Sequence, residues 1–124
     1  MHELGLTREI VEIVTERAAG AKVTRVVIEI GKLSAVLPDA VRFCFELCCE
    51  DTPLAGATLE ILETPGRARC AACGAEMVLE SPVGRCECGS LDLDWISGQE
   101  LRIRSMEVME VMEVMEAPGD VRRD

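Results

Sequence analysis

Apolar positions between Leu6 and Ala19 recur at helical spacing. Leu6, Ile10, Val11, Ile13, Val14 and Ala18 form one stripe, with Thr7, Glu9, Glu12 and Glu16 on the wet side. The pattern predicts a helix that Gly20 ends. From Lys22 to Ile30 the period changes to two. Val26, Ile28 and Ile30 take one face and Arg25, Val27 and Glu29 the other, with Gly31 closing the strand. Pro38 and Asp39 open a second helix, since proline tolerates the first turn and an acid there meets the positive end of the dipole. It runs through Phe43, Phe45, Leu47 and Cys48 to about Glu50, and Thr52-Pro53 breaks it. Ala57 to Glu63 alternates again around Leu59 and Ile61, and Pro65-Gly66 marks a boundary. Alternation resumes only at Leu101-Arg-Ile103-Arg-Ser105.

The order helix, strand, helix, strand, cysteine-rich segment, strand makes the segment an insertion. The predicted fold is α+β: a small three-stranded sheet with two helices on one face, plus an inserted zinc-ribbon-like unit. Residues 1–66 with 98–106 would form the α/β domain and 67–97 the insertion. Hinges at Pro65-Gly66 and Ser97-Gly98 would permit a domain-swapped homodimer. From Met106 a Met-Glu-Val repeat of period three fits neither the helical nor the strand period. Residues 107–124 are therefore expected to form a flexible acidic tail. A soft-metal site of Met thioethers is the rival reading of the repeat.

Composition narrows the classes. The 124 residues are 48% hydrophobic but hold only Phe43, Phe45 and Trp95 as aromatics, so the core must be aliphatic. The net charge of −10 argues against a nucleic-acid surface and against anionic membranes. It fits a protein that handles cations or docks on basic partners. The N-terminus lacks the apolar stretch of a signal peptide and no run is long enough to span a membrane, which points to the cytoplasm. Seven cysteines, an odd number without an export signal, favour thiols and metal ligands over disulfides.

Four of them pair as Cys70-x-x-Cys73-Gly and Cys86-x-Cys88-Gly, with twelve residues between Cys73 and Cys86. Two cysteine pairs on glycine-assisted turns can set four thiolates tetrahedrally around Zn(II). Iron in a rubredoxin-like site uses the same donors. Four sulfurs close the coordination sphere, so the site reads as structural. The segment has little apolar content, so metal would supply much of its folding free energy. The second pair is one residue short, which predicts strain and greater exposure or lability at Cys86 and Cys88. Cys44 and Cys48, four apart on the second helix, read as core residues. The sole histidine is His2. A terminal amine, the next backbone amide and a position-2 imidazole can close adjacent chelate rings, a nitrogen-rich set suited to Ni(II) or Cu(II). The plainer reading is a frayed polar terminus. There is no nucleophile–base pair and no phosphate loop.

Taken in order, MHEL, VTRVVIEIGKLSAVLPDAVRFCFE, TPLAGATLEI, the paired cysteines with CGS, and GQELRIRSMEVM resemble the hydrogenase nickel-incorporation (HypA-like) family over nearly the whole chain. The resemblance implies a nickel metallochaperone, not an enzyme. Met1, His2 and Glu3 would form the transferable Ni(II) site, and Cys70, Cys73, Cys86 and Cys88 a structural Zn(II) site. The implied partners are a nickel-handling maturation GTPase and the hydrogenase large subunit. The family usually carries C-x-x-C in both pairs, and some relatives offer a further histidine near the zinc; this chain departs on both points. A zinc-ribbon interaction adaptor without a nickel role is the competing class.

Overall fold

The computed structural model describes residues 2–109. The chain runs α1 (His2–Ala18), β1 (Val23–Gly31), α2 (Pro38–Cys49), β2 (Thr58–Thr64), β3 (Gly66–Cys70), β4 (Glu76–Leu79), β5 (Leu93–Ser97) and β6 (Leu101–Val108). Two three-stranded sheets result, ordered β2-β1-β6 and β4-β3-β5. In the first, β1 pairs parallel with β2 and antiparallel with β6, so the last strand does return beside the first. Val26, Ile28 and Ile30 meet Leu59, Ile61, Ile103, Met106 and Leu101 on one face, and α1 and α2 cover that face with Ile10, Val11, Val14, Val41 and Phe45.

Helix α1 begins at His2, four residues ahead of the apolar stripe. Its first turn is held by polar contacts that periodicity does not register. Thr7, read as solvent-facing, is fully buried and its hydroxyl donates to the Glu3 carbonyl at 2.6 Å. Ile13 conversely lies on the exposed side. On α2 the buried stripe is Val41, Phe45 and Cys49, spaced four apart. Cys44 and Cys48 are half-buried, Cys48 packing against the core, and Cys49 is the buried thiol of this helix, its pKa pushed up to about 11 by desolvation. Phe43 and Leu47 face outward.

Strand β6 departs from simple alternation. Its register on β1 shifts between Ser105 opposite Val27 and Ile103 opposite Ile28, so Arg104 is the extra residue of a bulge. The bulge lets Ile103 and Met106, an odd number apart, both face the core. On the other face Glu29, 7% exposed, takes Arg102 Nε at 2.9 Å and also pairs with Arg104, while Arg25 pairs with Glu60 and approaches Glu107. The strand continues through Glu107 and Val108, and the Met109 N–H donates to Lys22 O at 2.8 Å. The tail expected from residue 107 thus yields its first residues to the sheet. Met1, and residues 110–124 with the rest of the repeat, lie outside the described residues.

The cysteine segment was expected to draw much of its folding free energy from metal; it also contains the second sheet and a small apolar core of Ala68 and Leu79, with Met77 and Leu93 at its edge. The third buried member, Leu33, comes from the loop after β1. Where the sheets meet, three glycines pack backbone to backbone. A Cβ on Gly98 would lie 2.5 Å from Gly66 Cα and 2.8 Å from Pro65 O; one on Gly66 would lie 2.5 Å from Leu33 Cγ; one on Gly31 would overlap the Gly98 carbonyl. Leu33 N–H to Gly98 O (2.7 Å), Lys32 N–H to Thr64 O (2.9 Å) and Gly31 N–H to Glu100 O (2.8 Å) tie the same junction. In place of loose hinges at Gly66 and Gly98, the structure has a close-packed crossing.

Gly98 combines that crowding with a φ of +97°, whereas Gly20 has a φ of +93° and open space around it. Gly98→Ala should therefore cost at least about 2 kcal/mol, strain plus overpacking. Gly20→Ala should cost about 1 kcal/mol from strain alone. Urea unfolding of the two variants checks this; equal costs would show that the junction yields readily.

Candidate metal centres

Cys70 closes β3, and the chain turns back through Cys73 and Gly74 into β4. The Gly74 N–H donates to Cys70 O (2.8 Å) and the Cys70 N–H to Ala75 O (2.8 Å). In the second turn the Gly89 N–H donates to Cys86 O (2.8 Å) and the Cys86 N–H to Ser90 O (3.0 Å). The two turns have the same wiring, and the second is the first with one residue removed. Each needs a left-handed residue after the second cysteine, supplied by Gly74 (φ +81°) and Gly89 (φ +97°). In each, the second cysteine's N–H points at the first one's sulfur: Cys73 to Cys70 Sγ and Cys88 to Cys86 Sγ, both 3.5 Å.

The four sulfurs converge within 4.8 Å of one another. Cys70 Sγ lies 3.7 Å from Cys88 Sγ, and Cys73 Sγ lies 3.5 Å from Cys86 Sγ. A tetrahedral zinc site with Zn–S of ~2.3 Å has sulfur–sulfur edges of about 3.8 Å. The donor set and its spacing therefore fit zinc. The Cys73 N–H holds the Cys70 thiol down to about 6, against the opposing effect of desolvation, so this sulfur is prepared for metal as thiolate. Cys70 and Cys86 are buried, and Cys73 and Cys88 are exposed. Exposure is thus shared evenly between the pairs, and the greater exposure expected at the short pair is absent. The residue removed from the second turn is taken out of the arc between the sulfurs, and the framing hydrogen bonds stay in place.

The second candidate centre lies at the start of α1. The His2 side chain is 61% exposed, and its Nε2 is 3.9 Å from Glu3 Oε2. Glu3 is 7% exposed, and the same Oε2 accepts the Leu37 N–H at 3.1 Å. That contact holds the Glu3 carboxyl below its ordinary range, mainly through the Leu37 N–H. Neither Leu37 nor Thr7 had a sequence signal as part of this site: Leu37 is a neighbour only in three dimensions, and Thr7 reads as a surface position. The two centres are far apart in sequence but not in connection. The loop that offers the Leu37 N–H also sends Leu33 into the core of the cysteine sheet.

The model of the family described as hydrogenase/urease nickel incorporation, metallochaperone HypA, matches residues 1–108. The chain belongs to the HypA family. Hydrogenase maturation factor HypA of Nostoc punctiforme is 60% identical over 108 residues, which is 87% of this chain and 96% of the relative. The HypA of Geotalea uraniireducens is 47% identical over 109 residues, covering 87% and 99%. The solution structure of the nickel metallochaperone HypA from Helicobacter pylori superposes with a TM-score of 0.61 at 27% identity, covering 88% of this chain and 98% of that one. The two helices, the small sheets and the four-cysteine site accord with HypA structures, and the site could hold zinc. No helix among the described residues is long and apolar enough to cross a membrane.

The Glu3 contact has a measurable consequence. A carboxyl lowered on folding adds stability that is present above its unfolded value and lost as pH falls through its folded value. Carbon-13 titration of the metal-free protein should place the Glu3 carboxyl midpoint below the ordinary 4.5. A midpoint at or above 4.5 would mean that the Leu37 contact does not persist in solution.

Proposed function

We propose that this chain is a cytoplasmic nickel metallochaperone that delivers Ni(II) during maturation of nickel–iron hydrogenase. Its cargo site would be Met1, His2 and Glu3, and Cys70, Cys73, Cys86 and Cys88 would hold a structural zinc. Membership of the HypA family gives the reading its class. The observation that carries it is the placement of His2, exposed, in the first turn of a helix. The first four N–H groups of an α-helix have no intrahelical partner. The amides of His2 and Glu3 can therefore lose their protons to nickel without breaking a helical bond. The negative charge so created sits at the favourable end of the dipole.

A terminal amine and the His2 amide would close a five-membered ring with nickel; that amide and the imidazole Nδ1 would close a six-membered one. Nitrogen donors in a plane suit Ni(II). Because bound amides are deprotonated, affinity should rise with pH. An exposed site can be approached by an acceptor, which is what transfer requires. The partners on this reading are a nickel-handling GTPase of the same maturation route and the hydrogenase large subunit; the chain acts as a carrier and not as a catalyst. The inserted unit of residues 67–97 would be the zinc-bearing module, with residues 1–66 and the last strand as the nickel-bearing one. Zinc, when bound, supplies a rigid crosslink between the two knuckles and no open coordination position.

Calorimetric Ni(II) titration with metal analysis tests this. His2→Ala should abolish most specific nickel binding and leave zinc content and helical signal intact; one residue added before Met1 should do the same by moving the amine. Unchanged affinity in both would favour a zinc-ribbon adaptor with no nickel role. Cys70→Ala or Cys86→Ala should each release the zinc and expose residues 67–97 to protease. Iron in place of zinc in the purified protein would move the site to the rubredoxin class.

A residue inserted after Glu87 restores the longer spacing. Since both turns are framed by the same hydrogen bonds, chelator should strip zinc from this variant no more slowly than from the native chain. Slower stripping would locate strain in the short loop.

A further inference from the structure

We infer that Leu37 and Glu3 form a positioning relay for the His2 imidazole: the Leu37 N–H holds the Glu3 carboxylate, and the carboxylate orients His2, so that Glu3 acts on nickel through the histidine and not as a side-chain ligand. The inference rests on the reading of His2 as the nickel ligand and deepens it.

Ring closure with the His2 amide selects Nδ1, because only that nitrogen lies in reach of a six-membered chelate. Nε2 is then left with the proton. It faces Glu3 Oε2, 3.9 Å away. A metal-bound imidazole usually donates its second N–H to a carboxylate or carbonyl, which fixes the ring and its tautomer. Glu3 is placed for that role and is itself constrained. Its Oε2 accepts the Leu37 N–H at 3.1 Å, its backbone carbonyl accepts the hydroxyl of the fully buried Thr7, and the side chain is nearly enclosed. The Leu37 N–H and the near enclosure of the side chain hold the carboxylate where it stands beside the histidine.

The bond also answers a need of α2. Leu37 is the N-cap residue of that helix and has no side-chain cap. In a capping box a Glu or Gln three residues on would accept the N-cap N–H. Here that position is Ala40, which cannot. Glu3 accepts the bond from across the fold, so the carboxylate is held by a donor that lacks a local acceptor.

Leu37→Pro removes the N–H. Leu37 is 62% exposed and its φ of −89° is close to proline's range, so little else changes. In calorimetric Ni(II) titration of the full zinc-loaded chain at one pH, Leu37→Pro and Glu3→Ala should each weaken binding by about 10–100-fold. Their ligand-field absorption should match wild type, since the ligand set is the same. Glu3→Gln should bind near wild type, because its carbonyl still accepts the Leu37 N–H. Wild-type affinity in Glu3→Ala would overturn the relay, as would a shifted absorption band in Glu3→Gln, which would make the carboxylate a ligand. Should Leu37→Pro fail to fold, the Ala and Gln variants of Glu3 decide the matter alone. His2→Ala separates the two levels: if it binds nickel normally the metallochaperone site is misplaced, whereas its failure beside a fully active Glu3→Ala removes only the relay.

Discussion

Everything else in the structure hangs on a place where backbone touches backbone. Gly31 ends β1, Gly66 begins β3 and Gly98 follows β5, and at all three a methyl group would collide with main chain or with Leu33. Segments leaving one sheet and entering the other must cross here, because β2 runs on into β3 and β5 returns to β6. Side chains would hold the crossing strands apart. Their absence allows the hydrogen bonds from Gly31, Lys32 and Leu33 to form across the gap. Once the crossing is tight, Leu33 is carried into the core of the second sheet, and Lys32 reaches Glu80 at 2.5 Å. A core as small as Leu33, Ala68 and Leu79 could not fold alone. It is completed by a residue of the larger unit, and its far end is closed by four sulfurs.

The first sheet solves a different problem. Among the described residues helices cover one face only, so the central strand must be satisfied on the other face by something besides apolar packing. Glu29 sits there, nearly buried, between two guanidinium groups. Exposed ion pairs contribute little. Here, however, the carboxylate is mostly shielded and has two donors, and its pKa is held down chiefly by the hydrogen bond from Arg104, against the opposing effect of desolvation. The bulge at Arg104 serves both faces. It gives Glu29 its second arginine and keeps Ile103 and Met106 together on the core side.

These features also mark where the sequence was legible. The period-two runs around Ile28 and Ile61 and the Pro38 start of α2 needed only local rules, and the structure follows them. The cysteine spacing announced a four-sulfur cluster because metal geometry constrains sequence directly. What stayed hidden depends on partners distant in the chain. The α1 start was missed because Glu3 is satisfied by Leu37, and Thr7 was misread because its acceptor is a carbonyl in its own helix. The β4-β3-β5 sheet was missed because its strands are four or five residues long and one of its core residues lies in the loop after β1. The odd parity of Ile103 and Met106 hid the bulge.

The early start of α1 changes how a terminal cargo site is to be understood. A frayed end would have to give up all its freedom on closing a planar chelate, and that entropy would be charged against affinity. In this chain the backbone of His2 and Glu3 is already helical, and the first turn is fastened at Glu3 from two directions, by Leu37 and by Thr7. On the proposed reading, much of the ordering cost at these two residues would be met by folding and not by nickel, while the imidazole itself stays open to solvent. Fixing the backbone and exposing the ligand separates two demands that oppose each other in a carrier. On that reading the backbone would favour capture, and the exposed ring would leave a face through which an acceptor can enter before the donor has let go.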